Sequence, residues 1–141
     1  MNIAYFIKPK QTLEYLYSDY TVRQAIEKMK IAHYTAFPVL TRDGKYYGTV
    51  SEGDFLWYFL SHSEEMGNLK DKTLEKIPLE NVMNRQKYYP VAITAEVDEM
   101  INVALNQNFI PVVDDLGSFI GIVTRRDIIK CLQSQKDNDE E

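Results

Sequence analysis

Two short segments of the sequence share residue types that can hold a polar ligand. GTVSEGD (residues 48–54) and GIVTRRD (residues 121–127) both follow the pattern Gly-x-x-Ser/Thr-x-x-Asp. A hydroxyl at a helix start suits a phosphate or a ribose, and a carboxylate suits a vicinal diol. An apolar-Pro-Val run precedes each segment (residues 37–39 and 110–112). Because Pro removes one backbone N–H from a strand ladder, neighbouring backbone groups become available to a base edge. Together these groups fit a nucleoside.

The same spacing also has a purely structural interpretation. Ser51 with Asp54, and Thr124 with Asp127, match a capping box, in which hydroxyl and acid bind backbone N–H groups of the first helical turn. One isolated copy would favour capping alone. Both copies, however, have the Pro-Val run and a Gly three residues before the hydroxyl. Since such a Gly lets another group approach the strand closely, the duplication favours binding.

The two copies differ between the hydroxyl and the acid. The first copy has Glu52, whereas the second has Arg125 and Arg126 at the positive end of its predicted helix. Guanidinium groups beside Thr124 favour a phosphate, and Glu52 repels one. We expect the second copy to be the better phosphate site and the first to hold a less charged ligand or none, unless one arginine serves the other site. A solvated helix start is the structural alternative for either arginine.

The elements that position these residues are also duplicated. An offset of 73 residues places 48 on 121 and 37 on 110, and an amphipathic helix precedes each strand at an offset of 75. Each half reads strand, helix, strand, hairpin, strand, helix, with an Asp-containing turn that ends in Gly at each hairpin. Predicted strands cover residues 14–17, 38–40, 45–50, 91–93, 111–113 and 118–123; predicted helices cover 21–32, 51–61, 97–106 and 125–134.

The composition limits the class of protein. With 141 residues, of which 45% are hydrophobic, the chain has one core of ordinary size or two half-domains that share one. A net charge of −5 argues against a surface that binds nucleic-acid phosphates. A single cysteine, Cys131, excludes an intramolecular disulfide and gives no sign of an oxidising compartment. No apolar run has the length of a signal or a membrane span, so we expect a cytoplasmic protein without nucleic-acid or membrane partners.

The ordered duplication of helix, Pro-Val strand and Gly-x-x-Ser/Thr-x-x-Asp resembles a tandem pair of CBS domains, or Bateman module, of the stand-alone bacterial type. The resemblance spans about residues 4–132. It implies an α+β fold, with two β-α-β-β-α repeats packed about a pseudo-twofold axis through their sheets. The predicted ranges are 1–61 for the first repeat, 62–77 for a connector, 78–134 for the second repeat and 135–141 for a disordered acidic tail.

The resemblance also implies which residues bind a ligand. Family members bind adenosine-containing ligands in clefts between the repeats, and here the ribose and phosphate contacts fall on Asp127, Thr124, Arg125, Arg126, Asp54 and Ser51. The adenine region falls on Thr35, Ala36, Phe37, Pro38, Phe109, Ile110 and Pro111. By the same analogy, further phosphate contacts are Lys8 and Lys10. The alternatives are that the apolar side chains fill the core and that the two lysines are ordinary surface residues.

The sequence therefore predicts a regulatory module that senses AMP, ADP or ATP and acts through dimer shape or affinity for a regulated partner protein. The close alternative is cyclic di-AMP, since residues 34–38 (YTAFP) and 124–126 (TRR) are similar to those of relatives that bind it. The alternative of another class is a structural dimerisation protein with empty clefts. The run FLWYF at 55–59 predicts a homodimer interface, with an intramolecular core as the alternative.

Catalysis finds little support in the sequence. His33 and His62 are the only histidines, and neither has a cysteine or an acid at metal-ligand spacing. The sequence has no Gly-x-Ser-x-Gly or Cys-x-x-Cys motif. We expect no enzymatic activity, no resident cofactor and no metal site built from the protein. Any Mg²⁺ would arrive with a polyphosphate ligand.

Overall fold

The computed structural model describes residues 3–66, 71–85 and 88–139. Residues 67–70 of the predicted connector and residues 140–141 of the predicted tail lie outside the described residues. The chain divides into two compact units. The first unit is Glu14–Lys87, and the second unit combines Met1–Leu13 with Tyr88–Glu141.

The helices and strands follow the order that the sequence predicts, with a short strand added at the start of the chain and two short helices added in the connector. In chain order they are β1 (Lys8–Pro9), β2 (Leu16–Tyr17), α1 (Val22–Ala32), β3 (Ala36–Leu40), β4 (Tyr46–Ser51), α2 (Glu52–Ser61), α3 (Ser63–Met66), α4 (Asp71–Leu74), β5 (Val91–Ala92), α5 (Val97–Ala104), β6 (Phe109–Val113), β7 (Phe119–Thr124) and α6 (Arg125–Asp139). Short 3-10 turns lie at Ile3–Phe6, Lys10–Thr12 and Leu79–Asn81.

The first unit is a three-stranded sheet with the strand order β2-β3-β4. Strand β2 is parallel to β3, and β3 forms an antiparallel hairpin with β4. The hairpin turns through Gly44, which has a φ of 85° that a residue without Cβ adopts readily. Helix α1 is amphipathic and begins at a capping box formed by Thr21 and Gln24. Its apolar face packs into a core with Leu16, Val39 and Phe55.

The second unit has a four-stranded sheet with the order β1-β7-β6-β5, so the prediction of three strands is wrong for this unit. The extra strand β1 comes from the start of the chain, and Lys8 and Pro9 pair antiparallel with Ile122 and Gly121. Gly121 permits this approach, because a Cβ at that position would overlap Lys8 O and lie 2.7 Å from Ile7 Cγ2. The preceding 3-10 turn places the fully buried Ile3 in the core of this unit.

The leading segment of the predicted second repeat packs in the first unit in a similar way. Thr21 forms a β-bridge with Pro78, and Arg85 Nε donates a hydrogen bond of 2.9 Å to Tyr47 O. A Cβ at Gly48 would lie 2.9 Å from Met83 Cε. The leading segments of the two sequence repeats are therefore exchanged between the compact units. Residues 78–85, at the start of the second repeat, belong to the first unit, and residues 1–13, at the start of the first repeat, belong to the second unit.

The strand register confirms the repeat. Phe37 pairs with Val50 and Ile110 pairs with Val123, in both cases at the offset of 73 that the sequence gives. The hairpin ladder is irregular after Val39 in one unit and after Val112 in the other. The two hairpins thus share pairing and irregularity, as copies of one scaffold do.

Two helix ends differ from the predictions. Helix α5 ends at Ala104, two residues before the predicted end. Helix α6 continues to Asp139 and includes residues 135–139 of the tail that was expected to be disordered. Because no Gly or Pro follows Gly121 in the sequence, nothing in this stretch terminates the helix.

Candidate functional site

The first Gly-x-x-Ser/Thr-x-x-Asp pattern lies at the junction of β4 and α2. Ser51 is the N-cap of the helix, and its backbone N–H donates to Asp54 Oδ2 at 2.8 Å. The N–H of Asp54 in turn donates to Ser51 Oγ at 3.3 Å. This reciprocal pair is a capping box, and it fixes the carboxylate at the start of the helix. The structural interpretation of the first pattern is therefore realised.

The second pattern forms the same box at the junction of β7 and α6. Asp127 Oδ2 accepts from Thr124 N at 3.0 Å and from Thr124 Oγ1 at 2.8 Å, and Asp127 N donates to Thr124 Oγ1 at 3.2 Å. Asp127 is only 7% exposed. All hydrogen bonds that the described residues make to this carboxylate go to Oδ2. Capping and ligand binding are therefore compatible, since Oδ1 keeps its acceptor capacity.

The two arginines beside Asp127 are placed differently. Arg125 Nε donates a hydrogen bond of 2.9 Å to Ala104 O at the end of α5, so this side chain joins the two helices of its unit. Arg126 is exposed and makes no hydrogen bond or ion pair within the described part of the chain. At the same positions α2 has Glu52 and Gly53. Of the two guanidinium groups, that of Arg126 is the more available to an anion.

The predicted adenine region has mostly buried side chains. Phe37 and Ile110 are fully buried core residues, and the remaining buried members are Pro38, Phe109 and Pro111. Thr35 is exposed and Ala36 is half-buried. The side chains of Phe37 and Ile110 thus serve the core, and the backbone is what these segments offer to a ligand. One backbone group is already used, because Thr35 O accepts from Glu52 N at 3.0 Å.

The two lysines predicted as phosphate contacts belong to the second unit. Lys8 lies in β1 with an exposed side chain, and Lys10 begins the following 3-10 turn. Pairing of β1 with β7 therefore brings the backbone of Lys8 beside Ile122, on the strand that ends at Thr124.

A buried residue that the sequence did not indicate lies two residues before β6. Gln107 is 2% exposed, and its Oε1 accepts from Tyr89 N at 2.6 Å. Its Nε2 donates to Tyr89 O at 3.2 Å and to Phe109 O at 3.1 Å. The only signal in the sequence is that the corresponding position of the first repeat holds Tyr34, so the polar amide belongs to one repeat alone.

Outside the two patterns, the immediate surroundings of Cys131 and Asp19 shift the pKa values of these side chains. Burial raises the pKa of the Cys131 thiol on α6. The Arg42 guanidinium donates to both carboxylate oxygens of Asp19 and lowers the pKa of that group. Within the described residues, no three His, Cys, Asp or Glu side chains lie close enough together to hold a metal ion. The helices found in that part of the chain are also too short or too polar to cross a membrane.

Comparison with known proteins identifies the family. The family model of the CBS domain matches residues 7–61 and 79–134. The chain belongs to the CBS domain family. The two matches confirm that two CBS domains lie in tandem. The Gly-x-x-Ser/Thr-x-x-Asp pattern falls within both of them.

This CBS pair is similar to other proteins over most of its length. An uncharacterized protein of Methanocaldococcus jannaschii is 28% identical over 141 residues, with 83% of this chain and 84% of the relative covered. The structure of CbpB in complex with c-di-AMP has a TM-score of 0.81 at 22% identity and covers 100% of this chain and 91% of that chain. CBSX2 in complex with AMP has a TM-score of 0.74 at 24% identity, covering 96% and 98%. These likenesses confirm the α+β architecture.

Proposed function

We propose that this CBS pair is a regulatory module that binds an adenine nucleotide. The observation that carries the proposal is the duplicated site at the helix starts. In each unit a hydroxyl and a carboxylate are held together by a capping box at the positive end of a helix. Two proteins of the same fold have been solved with such ligands, CBSX2 with AMP and CbpB with c-di-AMP.

The proposed roles follow from the residue types at the two helix starts. The carboxylates of Asp54 and Asp127 accept from ribose hydroxyls, and Ser51 and Thr124 lie where a ribose or phosphate oxygen meets the helix N-terminus. Arg126 supplies positive charge to a phosphate. The proposed activity is binding, and no residue is proposed as a nucleophile or a general base.

A mononucleotide is the leading ligand class, and cyclic di-AMP is the second. A carboxylate at the helix start, as in both patterns, suits a ribose with both hydroxyls free, as in AMP, ADP and ATP, whereas each ribose of cyclic di-AMP has one hydroxyl in a phosphodiester. Support for cyclic di-AMP as the second candidate comes from the likeness to the CbpB complex. Either ligand regulates only through different affinities for two states of the protein or its partner.

The proposal includes a homodimer, because each unit has an apolar groove between its two long helices. The groove between α5 and α6 encloses about 410 Å³, and the one between α1 and α2 about 270 Å³. Positions that match by the repeat line both grooves: Ile26, Met29, Lys30, Glu52 and Phe55 in one, and Ile101, Ala104, Leu105, Arg125 and Ile128 in the other. Exposed apolar side chains continue both surfaces, namely Leu56, Trp57, Leu60, Ile129 and Leu132.

A second copy of this chain is the occupant that the grooves fit. At one matched position the first unit carries Glu52 and the second carries Arg125, so the two grooves carry opposite charges there. The first-unit groove of one copy is therefore complementary in charge to the second-unit groove of a neighbouring copy. Trp57 is 70% exposed within the chain, as expected for an anchor that is buried only in an interface.

Sedimentation velocity tests the dimer. We expect wild type to sediment as a dimer and Trp57→Glu as a monomer, because the substitution places a charge in the apolar contact. Tyr5→Glu is the control, since Tyr5 is 86% exposed and lies outside both grooves. Glu52→Arg should weaken the dimer and Arg125→Glu in the same chain should restore it. A monomeric wild type, or a Trp57→Glu dimer of unchanged stability, would refute this part of the proposal.

Isothermal titration calorimetry with AMP, ADP, ATP, cyclic di-AMP and GMP tests nucleotide binding. Asp54→Asn and Asp127→Asn keep the shape of the capping boxes and remove a charge, while Asp98→Asn removes an exposed charge from the first turn of α5 and serves as the control. We expect adenine compounds to bind and at least one of the two pattern variants to lose affinity. If both variants lose only the stability of a cap, about 1 kcal/mol or less, with no ligand response in any form, the protein is a structural dimer.

A further inference from the structure

Gln107 interrupts the hydrogen-bond ladder between β5 and β6. In this parallel pair Ile93 N donates to Val113 O at 2.9 Å, and alternate residues repeat the bond. Moving two residues at a time toward the strand starts, the donors after Ile93 are residues 91 and 89, and the matching acceptors are residues 111 and 109. This alternation pairs Tyr89 N–H with Phe109 O. Those groups do not bond to each other, because the carboxamide of Gln107 stands between them and binds both. The gap between the strand starts is therefore filled by a side chain.

The groups that Gln107 binds form a recognition pattern for a base. Tyr89 presents one donor and one acceptor, and Phe109 adds a second acceptor. The amide satisfies them with one acceptor oxygen and both protons of one amino group. The amidine edge of adenine has the same set, a ring nitrogen that accepts beside an amino group with two protons. Gln107 thus occupies the backbone atoms that an adenine would use.

The matching position of the first unit has no such amide. Tyr34 corresponds to Gln107 by the offset of 73, is 47% exposed, and packs its ring on Phe37 at 5.4 Å between centroids. Glu14 corresponds to Tyr89, two residues before the paired Leu16 as Tyr89 is two before Val91. Among the described residues the backbone of Glu14 makes no hydrogen bond, and Ala36, which corresponds to Phe109 by the offset of 73, is half-buried.

We propose that Gln107 closes the base-reading position of the second unit from within, so that only the first unit reads a nucleobase. This inference rests on the proposed nucleotide binding and names the repeat that performs it. The adenosine is held by the first unit, with Asp54 on the ribose. The second unit keeps Thr124 and Arg126 for phosphate contacts that do not depend on the base.

Calorimetric stoichiometry with AMP tests the inference on the full chain. Wild type should bind one AMP per chain, lose binding by at least about tenfold with Asp54→Asn, and lose less with Asp127→Asn. Gln107→Ala removes the amide and should raise the stoichiometry to two AMP per chain. In the double variant Gln107→Ala, Asp54→Asn, one site should remain.

A reciprocal variant keeps the test decisive where Gln107→Ala fails to fold. Tyr34→Gln introduces the amide at an exposed position of the first unit and should abolish AMP binding, whereas the shorter Tyr34→Asn should bind AMP as wild type does. Two AMP per wild-type chain, or binding that needs Asp127 and not Asp54, would overturn the inference and leave nucleotide binding intact. Absence of adenine binding in wild type and in Gln107→Ala would instead refute the proposed function and the inference together.

Discussion

Gly121→Ala tests whether the start of the chain belongs to the sheet of the second unit. Gly121 pairs with Pro9, and a Cβ at this position would overlap Lys8 O, with Lys8 C at 3.1 Å and Ile7 Cγ2 at 2.7 Å. Two of these three atoms are backbone atoms, which cannot swing aside as the end of a side chain can. The backbone of Gly121 is outside the left-handed region, so an alanine adds no strain other than this overlap. Strand β1 must therefore move away from β7.

The expected loss in the free energy of unfolding follows from the residues that move with β1. Forcing additional atoms into a packed position costs about 1–3 kcal/mol. The fully buried Ile3 precedes β1, and complete loss of its burial alone costs about 1.5–3 kcal/mol. We expect Gly121→Ala to reduce the free energy of unfolding by about 2–3 kcal/mol, near the upper end of the overpacking range.

Two glycines provide matched controls in urea denaturation. At the corresponding position of the first unit, the Cβ of Gly48→Ala is tight only against the flexible end of Met83 at 2.9 Å. Arg85 Cγ at 3.5 Å and the backbone atom Arg85 Cα at 3.8 Å are at ordinary contact distance, so we expect a cost below about 1 kcal/mol. Gly53→Ala in α2 meets nothing closer than Ser51 Oγ at 3.7 Å and should be neutral or stabilising by up to about 1 kcal/mol. If Gly121→Ala unfolds at the same urea concentration as Gly48→Ala, the placement of β1 is wrong.

Three further predictions concern single side chains. Thr124→Ala removes the hydroxyl of the second capping box and should cost about 1 kcal/mol in urea denaturation, while a value near zero would contradict the observed cap. Burial raises the pKa of the Cys131 thiol, so its contribution to stability is present below the ordinary thiol pKa and is lost as the pH rises above it; at pH 8 a thiol reagent should label Cys131 only as fast as the protein opens, and immediate labelling would contradict its burial. Arg42 lowers the pKa of Asp19, so the contribution of this pair is present above the ordinary Asp pKa and is lost as the pH falls through the lowered value; an NMR titration of Asp19 should move toward the ordinary value in Arg42→Met and would refute the contact if it did not move.

Much of the fold follows from local signals in the sequence. The two patterns predict capping boxes at helix starts, and Ser51 and Thr124 form them. The hairpin turns at Gly44 and Gly117 both adopt positive φ, as turn chemistry predicts. Repetition of the Pro-Val strand predicts the register of the hairpins, which the strand pairing confirms. These features depend on neighbours within a few residues or on a repeated motif.

The features that the sequence did not predict depend on distant contacts. Strand β1 pairs with residues more than a hundred positions later, and the sequence signal at Gly121 was assigned to a ligand's approach instead of the chain's own backbone. Gln107 acquires its role only when the backbone of Tyr89 lies beside it. Arg125 was predicted to bind phosphate, and its Nε contacts the end of α5 because the two helices pack in one unit. The spacing of residues along the chain does not reveal these contact partners.

Nucleotide binding is tested most directly by a calorimetric titration of the full chain with AMP, in wild type and in Asp54→Asn. We expect saturable binding to wild type at one AMP per chain, no comparable binding of GMP, and a loss of at least about tenfold in Asp54→Asn while the folded structure is retained. Absence of heat with AMP and with cyclic di-AMP at millimolar concentration, in protein that is folded by circular dichroism, would contradict the central claim that this CBS pair binds an adenine nucleotide.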